Sequence, residues 1–107
     1  MMIEKPNLKY IKELADGDTS VEKDVIEIIK NEFKEEETQY LKHLVASSYK
    51  NAAASVHKLN HKVIIFGLEN NYELAILHEQ NLKNSNLSLI SEYENILLKI
   101  SIFINNL

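Results

Sequence analysis

Apolar residues recur in steps of three and four along most of the chain, which is the spacing that places side chains on one face of an α-helix. In the second predicted segment this stripe comprises Val21, Val25, Ile28, Ile29, Phe33, Tyr40, Leu41, Leu44 and Val45. We predict a short helix from Leu8 to about Ala15, a long one from Thr19, a third from about Tyr49 to Phe66, a fourth from about Asn70 to Lys83, and a last helix that carries Leu87, Ile90, Leu97, Ile100 and Ile104. The alternation of period two that is typical of strands is absent from the sequence.

The boundaries of these helices carry signals of their own. Residues 16–18, "DGD", separate the first two helices, and Thr19 with Glu22 has the spacing of a capping box. The polar run 34–37, "KEEE", interrupts the stripe, so we expect a bend there or two collinear helices. Gly67 suits the left-handed position that ends a helix. Short links between long helices favour antiparallel neighbours, so the predicted fold is all-α: an antiparallel up-down four-helix bundle with a short extra N-terminal helix.

Length, charge and composition exclude several classes of protein. The 107 residues are expected to form a single domain, residues 1–107. The sequence has no cysteine, which excludes disulfides and thiolate metal sites. The net charge of -4 argues against general nucleic-acid binding. The N-terminal ten residues lack the apolar segment of a signal peptide, and Lys99 interrupts the apolar C-terminal stretch, so we expect a cytoplasmic protein without membrane insertion.

Two histidines of the third helix are expected to point away from the core. The apolar stripe of this helix consists of Ala52, Val56, Leu59, Val63 and Phe66. At about 100° per residue, His57 lies roughly 140° and His61 roughly 180° from the centre of that stripe. His43 and His78 lie on other helices without a comparable context, and we interpret both as solvated.

Small and apolar side chains are predicted to share the outward side with these histidines. They are Ala53, Ala54, Ile64, Ile65 and Leu68, and Lys58 and Lys62 follow the edge of the same side. Such a surface has no packing role within one bundle, so we interpret it as a docking surface. An alternative is that Ile64 and Ile65 pack beneath the short first helix.

The segments "ADGDTSVEKDVIEII" (15–29) and "NAAASVHKLNHKVIIFGLENNYELAILHEQNLK" (51–83) resemble a histidine-containing phosphotransfer (HPt) domain. Such domains are helical-bundle carriers in multistep two-component phosphorelays, and the likeness extends from about Leu8 to the last helix. The resemblance implies that His57 accepts a phosphoryl group from a receiver-domain aspartate and passes it to another receiver. Leu59 and Gly67 match the apolar residue and the glycine that the family has two and ten places after its histidine.

The sequence departs from the family at two positions beside the histidine. The family usually has lysine three places and glycine four places after it, where this chain has Asn60 and His61. The resemblance implies that the lysine helps to neutralise the phosphoryl group and that the glycine leaves room for the receiver. Lys58 or Lys62 is the candidate to supply the missing charge, and Lys58, Asn60, His61 and Lys62 together form the predicted supporting set.

The expected chemistry is that of imidazole as a nucleophile. A neutral ring nitrogen attacks phosphorus in line, while a hydrogen bond to the other nitrogen orients the ring. The resemblance implies that the receiver supplies the Mg²⁺, so no cofactor or metal is expected on this chain. The partners it implies are the receiver domains of hybrid sensor kinases and response regulators. The protein is then a stoichiometric carrier and not an enzyme.

Two alternatives remain open from the sequence. His57 and His61 are four residues apart on one helix and could bind a metal, although no third ligand is identified beside them. The bundle could also dock a receiver without transferring the phosphoryl group. The absence of the usual lysine and glycine favours that second alternative.

Overall fold

The structure, a computed structural model, describes residues 4–107 and confirms the predicted all-α fold. Its helices are α1 (Lys9–Ala15), α2 (Thr19–Val45), α3 (Tyr49–Ile65), α4 (Glu69–Lys83) and α5 (Ile90–Asn105). The four long helices form the up-down bundle, and the short α1 precedes them. Within residues 4–107, no helix combines the length and the hydropathy that a bilayer crossing requires.

The apolar stripe of α3 is the centre of the core, as its spacing predicts. Val56, Leu59 and Val63 have no exposed surface. The same buried cluster includes Phe33 and Tyr40 of α2, Ala75 and Leu82 of α4, and Tyr93, Ile96, Leu97, Ile100 and Ile104 of α5. Because α3 packs between α2 and α4, its remaining surface faces outward along one side of the bundle.

The apolar stripe predicted for α2 is only partly correct. Ile29 and Tyr40 are buried, whereas Ile28 and Leu41 are more than two fifths exposed. Ile28 is next to Ile29 in the sequence, and Leu41 is next to Tyr40. Consecutive residues point about 100° apart on a helix, so only one residue of each neighbouring pair faces the core. Val21 and Val45, near the ends of the helix, are also exposed.

α2 begins at Thr19, as predicted, but its cap and its continuity differ from the prediction. The prediction of a Thr19–Glu22 capping box is wrong, because the N-cap residue is Asp18. Its Oδ1 accepts hydrogen bonds from the N–H groups of Ser20 and Val21 at 3.0 and 3.1 Å. The expected break at residues 34–37 is also wrong, since α2 continues unbroken to Val45. Lysine and glutamate are good helix formers, so the charged run continues the helix.

The turn between α3 and α4 requires glycine for two reasons. Gly67 has the left-handed backbone that its place after α3 predicts, with φ +77°. A Cβ at this position would lie 2.5 Å from Nδ2 of Asn7. The Asn7 N–H also donates to the Phe66 carbonyl at 2.9 Å, so the N-terminal segment packs directly on the turn. This turn sets which residues of α3 and α4 lie side by side.

Candidate functional site

His57 is exposed on α3, and one of its ring nitrogens is paired with α4. Its Nδ1 lies 3.1 Å from Oε2 of Glu79, while 63% of the His57 side chain is exposed and only 10% of the Glu79 side chain is. A carboxylate accepts hydrogen bonds, so the neutral ring carries its proton on Nδ1 and donates it to Glu79. Nε2 then holds the free lone pair, and it has no hydrogen-bond partner among residues 4–107.

Glu79 is itself held in place from two directions. Asn60 donates through Nδ2 to Glu79 Oε1 at 3.4 Å. The Lys83 ammonium lies 3.7 Å from Oε2, the same oxygen that His57 contacts. Because both carboxylate oxygens are engaged, the carboxylate orients the imidazole and fixes which nitrogen faces outward.

Asn60, which the sequence places in the supporting set of the phosphoryl site, is a buried core residue and reaches His57 only through Glu79. It is 1% exposed. Its Nδ2 also donates to the Ala75 carbonyl at 3.2 Å, and its Oδ1 accepts the Tyr93 hydroxyl at 2.9 Å. Burial raises the pKa of Tyr93 well above its ordinary value, so this hydroxyl is a permanent donor. Asn60 therefore joins α3, α4 and α5 at the level of His57.

His78 is buried next to this network, and its interpretation as a solvated residue is wrong. It has no exposed surface. Its Nε2 lies 2.9 Å from the Tyr40 hydroxyl, and its ring packs at 4.7 Å on the ring of Tyr93. Nδ1 is buried and has no partner among residues 4–107. Burial lowers the pKa of His78 to about 4, against an opposing effect of the Glu92 carboxylate, so the ring is neutral near pH 7.

This neutral histidine makes the fold sensitive to acid. The unfolded chain binds a proton at His78 near pH 6.5 and the folded chain only near pH 4, so stability falls as the pH decreases through that window. Because of His78, we expect the unfolding free energy to fall by about 2 kcal/mol when the pH is lowered from about 7.5 to about 5. Urea unfolding at the two pH values measures this loss. His78→Phe, which cannot titrate, should reduce the pH dependence by that amount, and an unchanged dependence would contradict the assignment.

Lys62 is not available to a phosphoryl group, contrary to the sequence prediction. Its side chain is 8% exposed, and its ammonium lies 3.1 Å from Glu32 Oε1 and 3.0 Å from Glu36 Oε2. Its apolar stem crosses the α2–α3 interface, and α2 supplies the two carboxylates. Lys58 is exposed and lines a depression with Glu32 and Glu36, so it too lies on the α2 side of α3.

The outward surface around His57 is smaller than the sequence predicts. Ala53 is 1% exposed and Leu68 is fully buried, so neither belongs to a docking surface. Leu68 follows the left-handed Gly67, which turns the chain back into the core. Ala54 is exposed.

Ile64 and His61 are also exposed on the outward surface around His57. Ile64 is 41% exposed and lines a depression with Tyr10 and Glu13 of α1, so it does not pack beneath that helix as the alternative interpretation expected, whereas Ile65 is partly buried against the core. His61 is exposed, and its ring centre lies 5.2 Å from that of His57 in an edge-to-face arrangement. His43 is partly exposed on α2 and, as predicted, is not part of this group.

Glu79 and Lys83 are the members of the site that the sequence interpretation missed. Their spacing is that of a helical ion pair, and such a pair on an amphipathic helix is usually a surface feature. The turn at Gly67 was an additional signal for Glu79. In an antiparallel helical hairpin, two residues that are equally far from the turn along the chain lie side by side. His57 precedes the glycine by ten residues and Glu79 follows it by twelve.

No protein-family model, curated protein or solved structure matches this chain. Among residues 4–107 there is also no group of three histidine, aspartate or glutamate side chains placed to hold a metal ion.

Proposed function

We propose that the protein is a histidine phosphocarrier of a two-component phosphorelay, with His57 as the phosphorylated residue. The observation that carries this proposal is the state of the His57 ring, which is exposed and has Nδ1 bound to Glu79 and Nε2 free. The likeness to HPt domains supports the same assignment. The carrier acts in the cytoplasm between receiver domains, and the receiver supplies the Mg²⁺.

The transfer step forms one bond and breaks one, and the charge that it creates on the ring is stabilised by a residue that already contacts His57. The Nε2 lone pair forms the N–P bond, and the P–O bond to the receiver aspartate breaks, leaving its electron pair on the carboxylate. Nδ1 keeps its proton, so the product is a cationic ring that carries a phosphoryl dianion. Glu79 stabilises the cationic ring through its hydrogen bond to Nδ1, and no proton has to move in the step. The return step reverses the same bonds.

A docking adaptor that does not transfer phosphoryl groups is the second candidate. Two observations favour it: Asn60 occupies the position of the family's lysine but is buried, and the His61 ring packs beside His57 where the family has glycine. An imidazole at position 61 leaves a receiver less space to reach Nε2 of His57 than a glycine would. The exposed Ala54 and Ile64 would still allow a receiver to bind.

Transfer and binding, measured on the same receivers, distinguish the two functions. The chain is mixed with phosphorylated receiver domains, intact mass is recorded, and binding is followed by calorimetry. The carrier function predicts a gain of one phosphoryl group that is labile to acid and stable to alkali. Binding to several receivers without any gain in mass would establish the adaptor instead.

A further inference from the structure

Lys83, on the neighbouring helix α4, places a positive charge on the carboxylate that binds His57. It lies one turn beyond Glu79 on α4, its side chain is 61% exposed, and its Nζ is 3.7 Å from the carboxylate oxygen that binds His57 Nδ1. The ammonium and the imidazole therefore contact the same oxygen. The lysine stem is long and flexible, so Nζ can move from that oxygen towards a group bound at Nε2.

A phosphoryl group on His57 adds negative charge that the His57–Glu79 pair alone does not neutralise. The cationic phosphorylated ring balances the Glu79 carboxylate, but the phosphoryl dianion remains close to that carboxylate. Like charges in a partly buried site repel more strongly than they do in water. A cation next to both groups would remove the repulsion and donate hydrogen bonds to the phosphoryl oxygens.

The other lysines near His57 are less available to a phosphoryl group than Lys83, whose side chain is 61% exposed and has a single carboxylate partner. Lys62 is buried in its ion pairs with Glu32 and Glu36. Lys58 lines the depression on the α2 side of α3, beside the same carboxylates. Asn60 is neutral and buried. Lys83 is the lysine that contacts the carboxylate partner of His57.

We propose that Lys83 is the phosphoryl-binding cation of this site and replaces, from α4, the lysine that the chain lacks on α3. When His57 is phosphorylated, the Lys83 ammonium binds the phosphoryl oxygens while Glu79 stays on Nδ1. This role rests on the proposed carrier function, because it requires a phosphoryl group on His57.

The test uses phosphoramidate, a chemical donor that releases ammonia when the histidine takes its phosphoryl group and that needs no partner protein. The initial rate of phosphorylation is followed by intact mass for the wild type, Lys83→Gln and Lys83→Arg, and the rate of His57→Gln is subtracted so that the exposed His61 and the partly exposed His43 do not contribute. We expect Lys83→Gln to be about tenfold slower and Lys83→Arg to recover most of the rate. Lys23→Gln, an exposed lysine on α2, is the matched control and should react at the wild-type rate. Lys58→Gln should slow the reaction less than Lys83→Gln does.

A second pair of variants separates direct binding from an effect through Glu79. In a Glu79→Gln background, removing the Lys83 charge should still slow phosphorylation, because its target is the phosphoryl group. If the effect of Lys83→Gln disappears in that background, the lysine only neutralises the carboxylate and the proposal is wrong.

The outcomes also separate this role from the carrier function itself. A wild type that is phosphorylated at the same rate as Lys83→Gln overturns the role of Lys83 and leaves the carrier standing. A larger effect of Lys58→Gln would overturn it in the same way. A wild type that neither phosphoramidate nor phosphorylated receivers can modify overturns the carrier function, and the role of Lys83 with it.

Discussion

Replacing His57 with glutamine is expected to abolish the gain of a phosphoryl group from phosphorylated receivers. Glutamine has no nucleophilic nitrogen, because its amide lone pair is delocalised, so no N–P bond can form. The side chain at this position is 63% exposed but donates to the nearly buried Glu79, so the loss of this hydrogen bond should lower the unfolding free energy by about 1 kcal/mol. Intact mass for the transfer and urea unfolding for the stability measure both effects on one preparation.

The other histidines supply the controls for this result. His61→Gln removes the ring that packs against His57 and should leave at least about a third of the transfer rate, since it takes no part in the bond changes. His43→Gln lies on α2 outside the site and should be indistinguishable from the wild type. A phosphoryl group that still appears in His57→Gln would place the acceptor on another residue.

Replacing Asn60 with alanine is expected to produce the largest loss of stability of any single polar substitution near the site. The change removes the partner of the Tyr93 hydroxyl and one partner of Glu79, and it leaves a cavity where the amide was. Unpaired buried polar groups and cavities are costly, so the unfolding free energy should fall by about 3 kcal/mol. Urea unfolding near pH 7 measures the loss. Asn31→Ala, at an exposed position of α2, should change it by less than about 0.5 kcal/mol.

A double-mutant cycle isolates the bond between α3 and α5. Tyr93→Phe removes the same hydrogen bond from the other side, so the two substitutions should not be additive, and the coupling energy should exceed about 1 kcal/mol. Additive losses would show that Asn60 and Tyr93 act independently. A loss below about 1 kcal/mol for Asn60→Ala would contradict its place in the buried network.

The helices and the outward position of His57 could be predicted from the sequence because both depend on periodicity within one helix. Val56, Leu59 and Val63 mark the buried face, and the position of His57 relative to them follows from 3.6 residues per turn. The error at Leu68 has a local cause, since the left-handed turn at Gly67 breaks the periodicity on which its prediction depended.

The partners of the polar residues could not be predicted in the same way, because they depend on how neighbouring helices are rotated. Asn60 lies at the edge of the apolar face, and its burial is decided by the position of Tyr93 on α5. Lys62 has the pattern of a surface lysine, and only the close approach of Glu32 and Glu36 on α2 buries it. Periodicity within a single helix carries no information on either contact.

The most direct test of His57 as the acceptor is nitrogen-15 NMR of the histidine rings after treatment with a phosphorylated receiver. Long-range correlations to the ring protons assign each nitrogen, and coupling to phosphorus identifies the one that is modified. We predict phosphorus on Nε2 of His57, with the proton retained on Nδ1 against Glu79. A phosphoryl group on Nδ1 of His57, or on another residue, would contradict the assignment.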